Sequence, residues 1–272
     1  IMAKQLTVAP SARRLTNSLR DVGYSFESAI ADLIDNSITA GSDEIDIRIV
    51  FSGRDSTITI SDNGNGMDEF TANEAMRFGS RREYSDGDLG RYGLGLKTAS
   101  LSQCRRLEVV TKTKENPSYY GRTLDLDFIQ DTDNWITLDS TDADYAEELF
   151  NNLASTSGTV IRWKKLDRLL PHRSPEGGWA RRRIETLEIR LHRYLAMIFH
   201  RFLSGETGRV ISIRVNENPV SPWDPFCRNE PKTVELEQND FEVEHGSITD
   251  KVVLRRFLLP SRNNFSSREA FD

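Results

Sequence analysis

Three short segments constrain this chain more than any bulk property. They are Ala31-Asp32-Leu33-Ile34-Asp35-Asn36, then Asp62-Asn63-Gly64-Asn65-Gly66-Met67, then Gly90-Arg91-Tyr92-Gly93-Leu94-Gly95-Leu96-Lys97-Thr98. Each falls where one predicted element meets another. Ser25 is an N-cap residue and Gly41 a C-terminal glycine, which predicts a helix between them. Its apolar set, Ile30, Leu33, Ile34 and Ile38, recurs at helical spacing and marks a core face. Asp32 and Asn36 stand four residues apart and share another face. Ile45, Ile47, Ile49 and Phe51 alternate with polar residues as in a half-buried strand; a turn at Ser52–Asp55 leads to a second strand, Thr57–Ser61. Asp62 stands where that strand ends. A helix around Asp68–Arg77 precedes a loop at 79–92, and the glycine cluster opens a helix over Leu94–Gln103.

The residue types at these junctions are chemically specific. A carboxylate only accepts hydrogen bonds, so Asp62 suits the exocyclic amino group of adenine and opposes the O6 of guanine. Gly64 and Gly66 let the backbone turn tightly beside a ring, although Asp-Asn-Gly-Asn-Gly alone is also an ordinary turn. Gly90, Gly93 and Gly95 would let the backbone approach phosphate oxygens, with free N–H groups at the helix start. Lys97 would add a mobile positive charge on the first turn. A lone Gly-x-x-Gly-x-Gly is often just a loop. Asn36 carries an amide oxygen fit for Mg²⁺, a hard ion, or it is simply solvated. Gly158-Thr159 opens a later strand.

Taken in this order, the segments resemble the GHKL ATPases, the family of DNA gyrase B, the ninety-kilodalton heat-shock chaperones, histidine kinases and MutL. The wording Phe78-Gly79-Ser80 before the loop and Gly-Leu-Lys-Thr-Ala-Ser after it is most similar to the MORC branch and related bacterial ATPases. The resemblance implies an α+β fold: a Bergerat-type ATP-binding sandwich, one mixed sheet with helices on one face, then part of a transducer-like α+β domain. It implies ATP and Mg²⁺ as ligands, held by Asn36, Asp62, Gly64, Gly66, Met67, Gly90, Gly93, Leu94, Gly95, Leu96, Lys97, Thr98 and Thr159, with Asn36 on the metal. It also implies an ATP-gated, dimerising switch with slow hydrolysis in a DNA-related process. A nucleotide-dependent binding module with little turnover is the alternative. A histidine kinase would carry a phospho-accepting His before the ATP domain, and no His occurs before His172. The γ-phosphate lysine of the transducer domain has no assigned residue here.

One departure from the family pattern bears on catalysis. The general base is usually Glu, and here that position is Asp32, one methylene shorter. Glu27 lies on roughly the opposite helical face from Asn36, and Asp35 could orient a neighbour instead.

Further along, strands are predicted at Leu107–Thr113, Gly121–Phe128, Trp135–Leu138 and Thr159–Lys164, with the acidic stretch Asp142–Asn151 as an exposed helical insertion. Pro171, Pro175, Gly177 and Gly178 cluster near 167–178 and predict a boundary, giving domains 1–167 and 168–272. Ile184, Leu187, Leu191, Leu195, Ile198 and Phe202 then mark a long amphipathic helix, followed by strands at Val210–Val215 and Lys251–Leu258. This second part looks short of a full core. Arg181, Arg182 and Arg183 at that helix start oppose its dipole. They read as a solvated face or as an anion contact to DNA or an acidic partner. Lys and Arg total 36 against 42 Asp and Glu, a net charge of −6 that argues against wholesale coating of nucleic acid. Two cysteines, Cys104 and Cys227, make no disulfide framework, and the four histidines form no metal set. With no apolar stretch of membrane-spanning length, no membrane partner is expected, and the localisation expected is cytoplasmic, or nuclear in a eukaryote.

Overall fold

A computed structural model describes residues 10–21, 23–78, 95–116, 118–139, 147, 150–151, 155–170, 175–245 and 248–271. The loop at 79–92, with Gly90, Gly93 and Leu94, lies outside them, as does most of Asp142–Asn151. Two compact units are present, Ile1–Ser221 and Pro222–Asp272.

The first unit is α+β. Helices α1 (Ala12–Arg20), α2 (Phe26–Thr39), α3 (Glu69–Met76), α4 (Gly95–Gln103), α5 (Leu126–Thr132), α6 (Gly178–Ile198) and α7 (His200–Leu203) accompany a mixed sheet. Its strands are β1 (Glu44–Val50), β2 (Thr57–Asp62), β3 (Arg106–Lys112), β4 (Tyr120–Asp125), β5 (Leu138–Asp139), β6 (Gly158–Lys164), β7 (Ser212–Val215) and β8 (Asn218–Pro219). They run in the order β5-β4-β3-β6-β2-β1-β7-β8, antiparallel except where β7 joins β1 in parallel. This is the mixed-sheet sandwich expected.

Strand register turns the sequence alternation into rows. Ile49, Ile58, Trp163, Leu107 and Leu124 lie side by side across five strands. The next row on that face holds Ile47, Ile60, Ile161 and Val109. Both rows belong to one core with Ile30, Leu33 and Ile34 of α2, Leu101 of α4 and Leu187, Leu191 and Leu195 of α6. Each such aliphatic side chain, fully buried, contributes roughly 1.5–3 kcal/mol over leaving it exposed. The reverse face carries charge: Asp46 lies between Arg48 and Arg214, and Glu108 among Arg106, Arg162 and Lys164.

Caps account for the helix boundaries. Ser25 Oγ accepts from Ser28 N at 3.1 Å to open α2, and Asp68 Oδ1 accepts from Thr71 N at 2.7 Å to open α3. Four expectations shift. The predicted strand Gly121–Phe128 stops at Asp125, whose carboxylate caps α5 by accepting from Asp127 N at 3.0 Å. Trp135–Leu138 supplies only the first residue of the two-residue β5. Phe150, in the stretch read as exposed, is fully buried against Val110 and Val160. The compact division comes after Ser221 rather than at 167–178, because α6 fills the main core and β7 extends the sheet.

The second unit holds two small antiparallel ribbons. β9 (Val234–Glu235) pairs with β12 (Phe257–Leu258), and β10 (Asn239–His245) with β11 (Ile248–Leu254). The predicted strand Lys251–Leu258 is therefore split, and β10 is an addition. None of this unit's residues whose burial is described is buried.

Candidate functional site

The third row of the helix-facing side is polar. After Ile45 it continues through Asp62, Thr159 and Thr111. Asp62 is only 4 % exposed, and three donors hold its carboxylate. Gly64 N and Thr159 N donate to Oδ1 at 2.9 and 3.2 Å, and Ser37 Oγ donates to Oδ2 at 2.9 Å. Ser37 Oγ also lies 3.2 Å from Leu33 O; its single proton is better placed on the nearer, charged acceptor. Burial pushes the Asp62 carboxyl above the ordinary carboxylate range, against the downward pull of Gly64, Ser37 and Thr159. A carboxylate offers about four lone-pair sites, so one acceptor position remains on Oδ2.

The turn after Asp62 is locked on both sides. Asn65 N donates to Ala40 O at the end of α2, and Ser157 Oγ donates to Gly64 O at 2.8 Å. Gly66 has φ +69°, and a Cβ there would fall 1.8 Å from Lys112 O. Gly158 has φ +142°, and its Cβ would fall 1.9 Å from Asp62 O. Both obstacles are backbone atoms, so only glycine fits. Thr111 Oγ1 joins the strands here: it accepts from Met67 N at 2.8 Å and donates to Gly158 O at 2.9 Å. The Thr159 hydroxyl is 3.2 Å away.

On α2, Asp32 is half-buried and Asn36 exposed. Tyr24 Oη donates to Asp32 Oδ2 at 2.7 Å, and that bond, with burial and the Asp32 charge, raises the Tyr24 pKa; Thr98 opposes the rise. Asp35 is raised as well, by burial and then by the Asp32 charge. Glu27 faces elsewhere, buried with Oε1 2.8 Å from the Arg190 guanidinium of α6.

Helix α4 begins at Gly95, with Leu96 half-buried against the core and Thr98 buried. Lys97 differs from its expected character. Its side chain is buried, Nζ donating to Ala75 O at 2.6 Å and lying 5.8 Å from the Phe78 ring centre. Burial pulls its pKa down to about 8, with Glu74 opposing. The ammonium thus ties α4 to the end of α3.

Ser37, Thr111, Ser157 and Tyr24 join the site without having been singled out in the sequence. Ser37 sits beside Asn36 and was within reach of pattern reading; Thr111 was not, since only strand register brings it to Asp62. Two of the three clustered arginines have partners within the chain. Arg181 stacks 5.0 Å over Phe51, and Arg183 lies 5.6 Å over Trp179 while donating to Leu169 O. Arg182 is exposed. Among the described residues, no helix is long and apolar enough to cross a membrane. Nor does any group of three or more His, Cys, Asp or Glu side chains there form a metal site.

A family model described as histidine kinase-, DNA gyrase B-, and HSP90-like ATPase matches residues 24–159, half of the 272-residue chain. The chain is also similar to ATPase morc-1 of Caenorhabditis elegans, 35% identical over 85 residues. That stretch is 31% of this chain and spans 10% of the relative's length.

Proposed function

Because this chain belongs to the histidine kinase-, DNA gyrase B-, and HSP90-like ATPase family, we propose that its polar sheet row is the adenine end of an ATP site and that the protein is a slow, Mg²⁺-dependent ATPase. The observation carrying this reading is the Asp62 carboxylate: buried, fixed by three donors, and left with one acceptor position. An exocyclic amine fills that position; a guanine carbonyl would set acceptor against acceptor. Met67, fixed through Thr111, and Gly64 and Gly66 line the turn beside it. Thr159 holds Asp62 through its backbone N–H.

Asn36 supplies one hard oxygen, and the phosphates and water supply the rest. Mg²⁺ neutralises phosphate charge when bound. Gly90, Gly93, Leu94, Gly95, Leu96, Lys97 and Thr98 are proposed as the phosphate side. For Lys97 that role requires its ammonium to leave Ala75 O. Asp32 acts as general base: it takes a proton from water as the water oxygen bonds to the γ-phosphorus and the bond to the bridging oxygen breaks, releasing ADP. Its shorter reach than Glu supports slow turnover, and it is the feature favouring the second reading, a module that closes on ATP without useful hydrolysis.

Family likeness extends the proposal to an ATP-dependent homodimer and to DNA-related work, with 168–272 as a transducer-like region and Arg181, Arg182 and Arg183 as the phosphate contact. The decisive experiment is Mg-ATP turnover beside Asp32→Ala. Turnover lost in the variant supports the ATPase; unchanged turnover removes Asp32 as base. For DNA, charge reversal at the three arginines should lower affinity and its salt dependence together, and an unaltered salt slope would leave them a solvated face.

A further inference from the structure

Tyr24 is the buried-site residue with no assigned task. It immediately precedes the Ser25 cap, and its hydroxyl meets Asp32, eight residues further along the chain in α2. Its backbone is pinned from another element, because Gln103 Nε2 at the end of α4 donates to Tyr24 O at 3.1 Å. Thr98 of the same helix interacts with the Tyr24 side chain. A phenylalanine would fill the same apolar surroundings, since Tyr24 packs half-buried against the core. What the hydroxyl adds is polar: it donates at 2.7 Å to one carboxylate oxygen of Asp32 and meets the Thr98 side chain.

We propose that Tyr24 is a positioning residue for hydrolysis: by donating to Asp32 Oδ2 it fixes the rotation of this short carboxylate and leaves Oδ1 as the oxygen that receives the proton of the attacking water. The inference rests on the assignment of Asp32 as base. Among the described residues Oδ1 has no hydrogen-bond partner, so the two oxygens are already unequal. The ionisable side chain beside the pair is Asp35, on α2 itself, and α4 contributes the neutral Thr98. Asp32 also carries one methylene fewer than the Glu usual at that position. A base that reaches less far tolerates less angular error, and catalytic geometry is sensitive to displacements of about 1 Å. Tyr24 thus ties the base to both helices that frame the nucleotide site.

The test is steady-state Mg-ATP turnover for the parent protein, Tyr24→Phe and Asp32→Ala, with thermal unfolding of each. For Tyr24→Phe the expected result is kcat lower by about tenfold and KM within about twofold, the signature of lost positioning rather than lost binding. A merely structural role would lower thermal stability while leaving kcat, measured well below the unfolding temperature, at the parent value. If Tyr24→Phe keeps the parent kcat while Asp32→Ala is inactive, the positioning role is overturned and the ATPase assignment stands. A higher KM at unchanged kcat would place Tyr24 in nucleotide binding and overturn it likewise. Parent turnover that is absent, or that survives Asp32→Ala, overturns both.

Discussion

Replacing Asp62 with Asn should move stability and function in opposite directions. The amide fits the existing donors: its oxygen accepts from Gly64 N and Thr159 N, and its NH₂ donates to Ser37 Oγ. The NH₂ keeps one further hydrogen, which points where an exocyclic amine would arrive, donor against donor. Losing a hydrogen bond to a charged group costs about 1.5–3 kcal/mol, or roughly ten- to a hundredfold in Kd, before that repulsion is added. Stability follows from the carboxyl pKa, which burial raises in the fold despite three donors. The folded state therefore holds the proton more tightly than the unfolded chain. Its contribution is complete below the unfolded pKa and is lost as pH rises through the folded one. Above the unfolded pKa the raised carboxyl works against folding, so at neutral pH Asp62→Asn should unfold at a temperature equal to or above the parent's. The gap should close as pH falls into the ordinary carboxylate range. Calorimetric titration with Mg-ATP, and thermal unfolding at neutral and acidic pH, measure both. ATP affinity within about threefold of the parent would refute the adenine assignment, being far below the cost of one charged hydrogen bond. A fall in stability that grows toward neutral pH would refute the electrostatic argument.

The remaining expectations concern how the site is built. Gly66→Ala must accept a left-handed backbone and a Cβ 1.8 Å from Lys112 O, so thermal or denaturant unfolding should show a loss above about 2 kcal/mol. Gly95→Ala meets no described atom within 4 Å at the start of α4; it should leave stability unchanged or raise it by up to about 1 kcal/mol while weakening ATP binding. Equal destabilisation by the two would contradict the steric account. Thr111→Val strips partners from Met67 N and Gly158 O, a loss of about 1–3 kcal/mol in unfolding free energy that should be joined by weaker ATP binding. Lys97, held near pKa 8 by burial, is charged at lower pH in both folded and unfolded states, so its burial penalty is fully present there. The penalty fades as pH rises from about 8 toward the ordinary lysine value. Lys97→Met should then be favoured by on the order of 3 kcal/mol near pH 7, less the lost bond to Ala75 O, and by little near pH 10.5. A difference independent of pH in urea unfolding would remove the buried-charge argument.

Local chemistry made much of this molecule legible in one dimension. Capping side chains act within three residues, so Ser25 and Asp68 marked their helices correctly. Alternation named the buried face of β1, the turn after it placed β2, and Asp62 was visible as the carboxylate ending a strand. Local pattern misled where a short-range cap interrupted it, as Asp125 does by opening α5 inside a predicted strand. It was silent where partners are distant in sequence. Thr159 meets Asp62 across 97 residues, and Thr111 meets Thr159 across 48, because antiparallel register sets them in one row. Lys97 read as a mobile cation, since nothing in its neighbours along the chain announces Ala75 O or the burial around it. By itself the sequence determined which residues could do the chemistry: a lone carboxylate at a strand end, glycines in the turn, an Asp and an Asn one helical turn apart. Tertiary structure alone decided which atoms of those residues stay available. Hydrogen-bond capacity is a property of the residue, whereas how much of it is already used depends on neighbours that only strand register and helix packing bring within 3 Å.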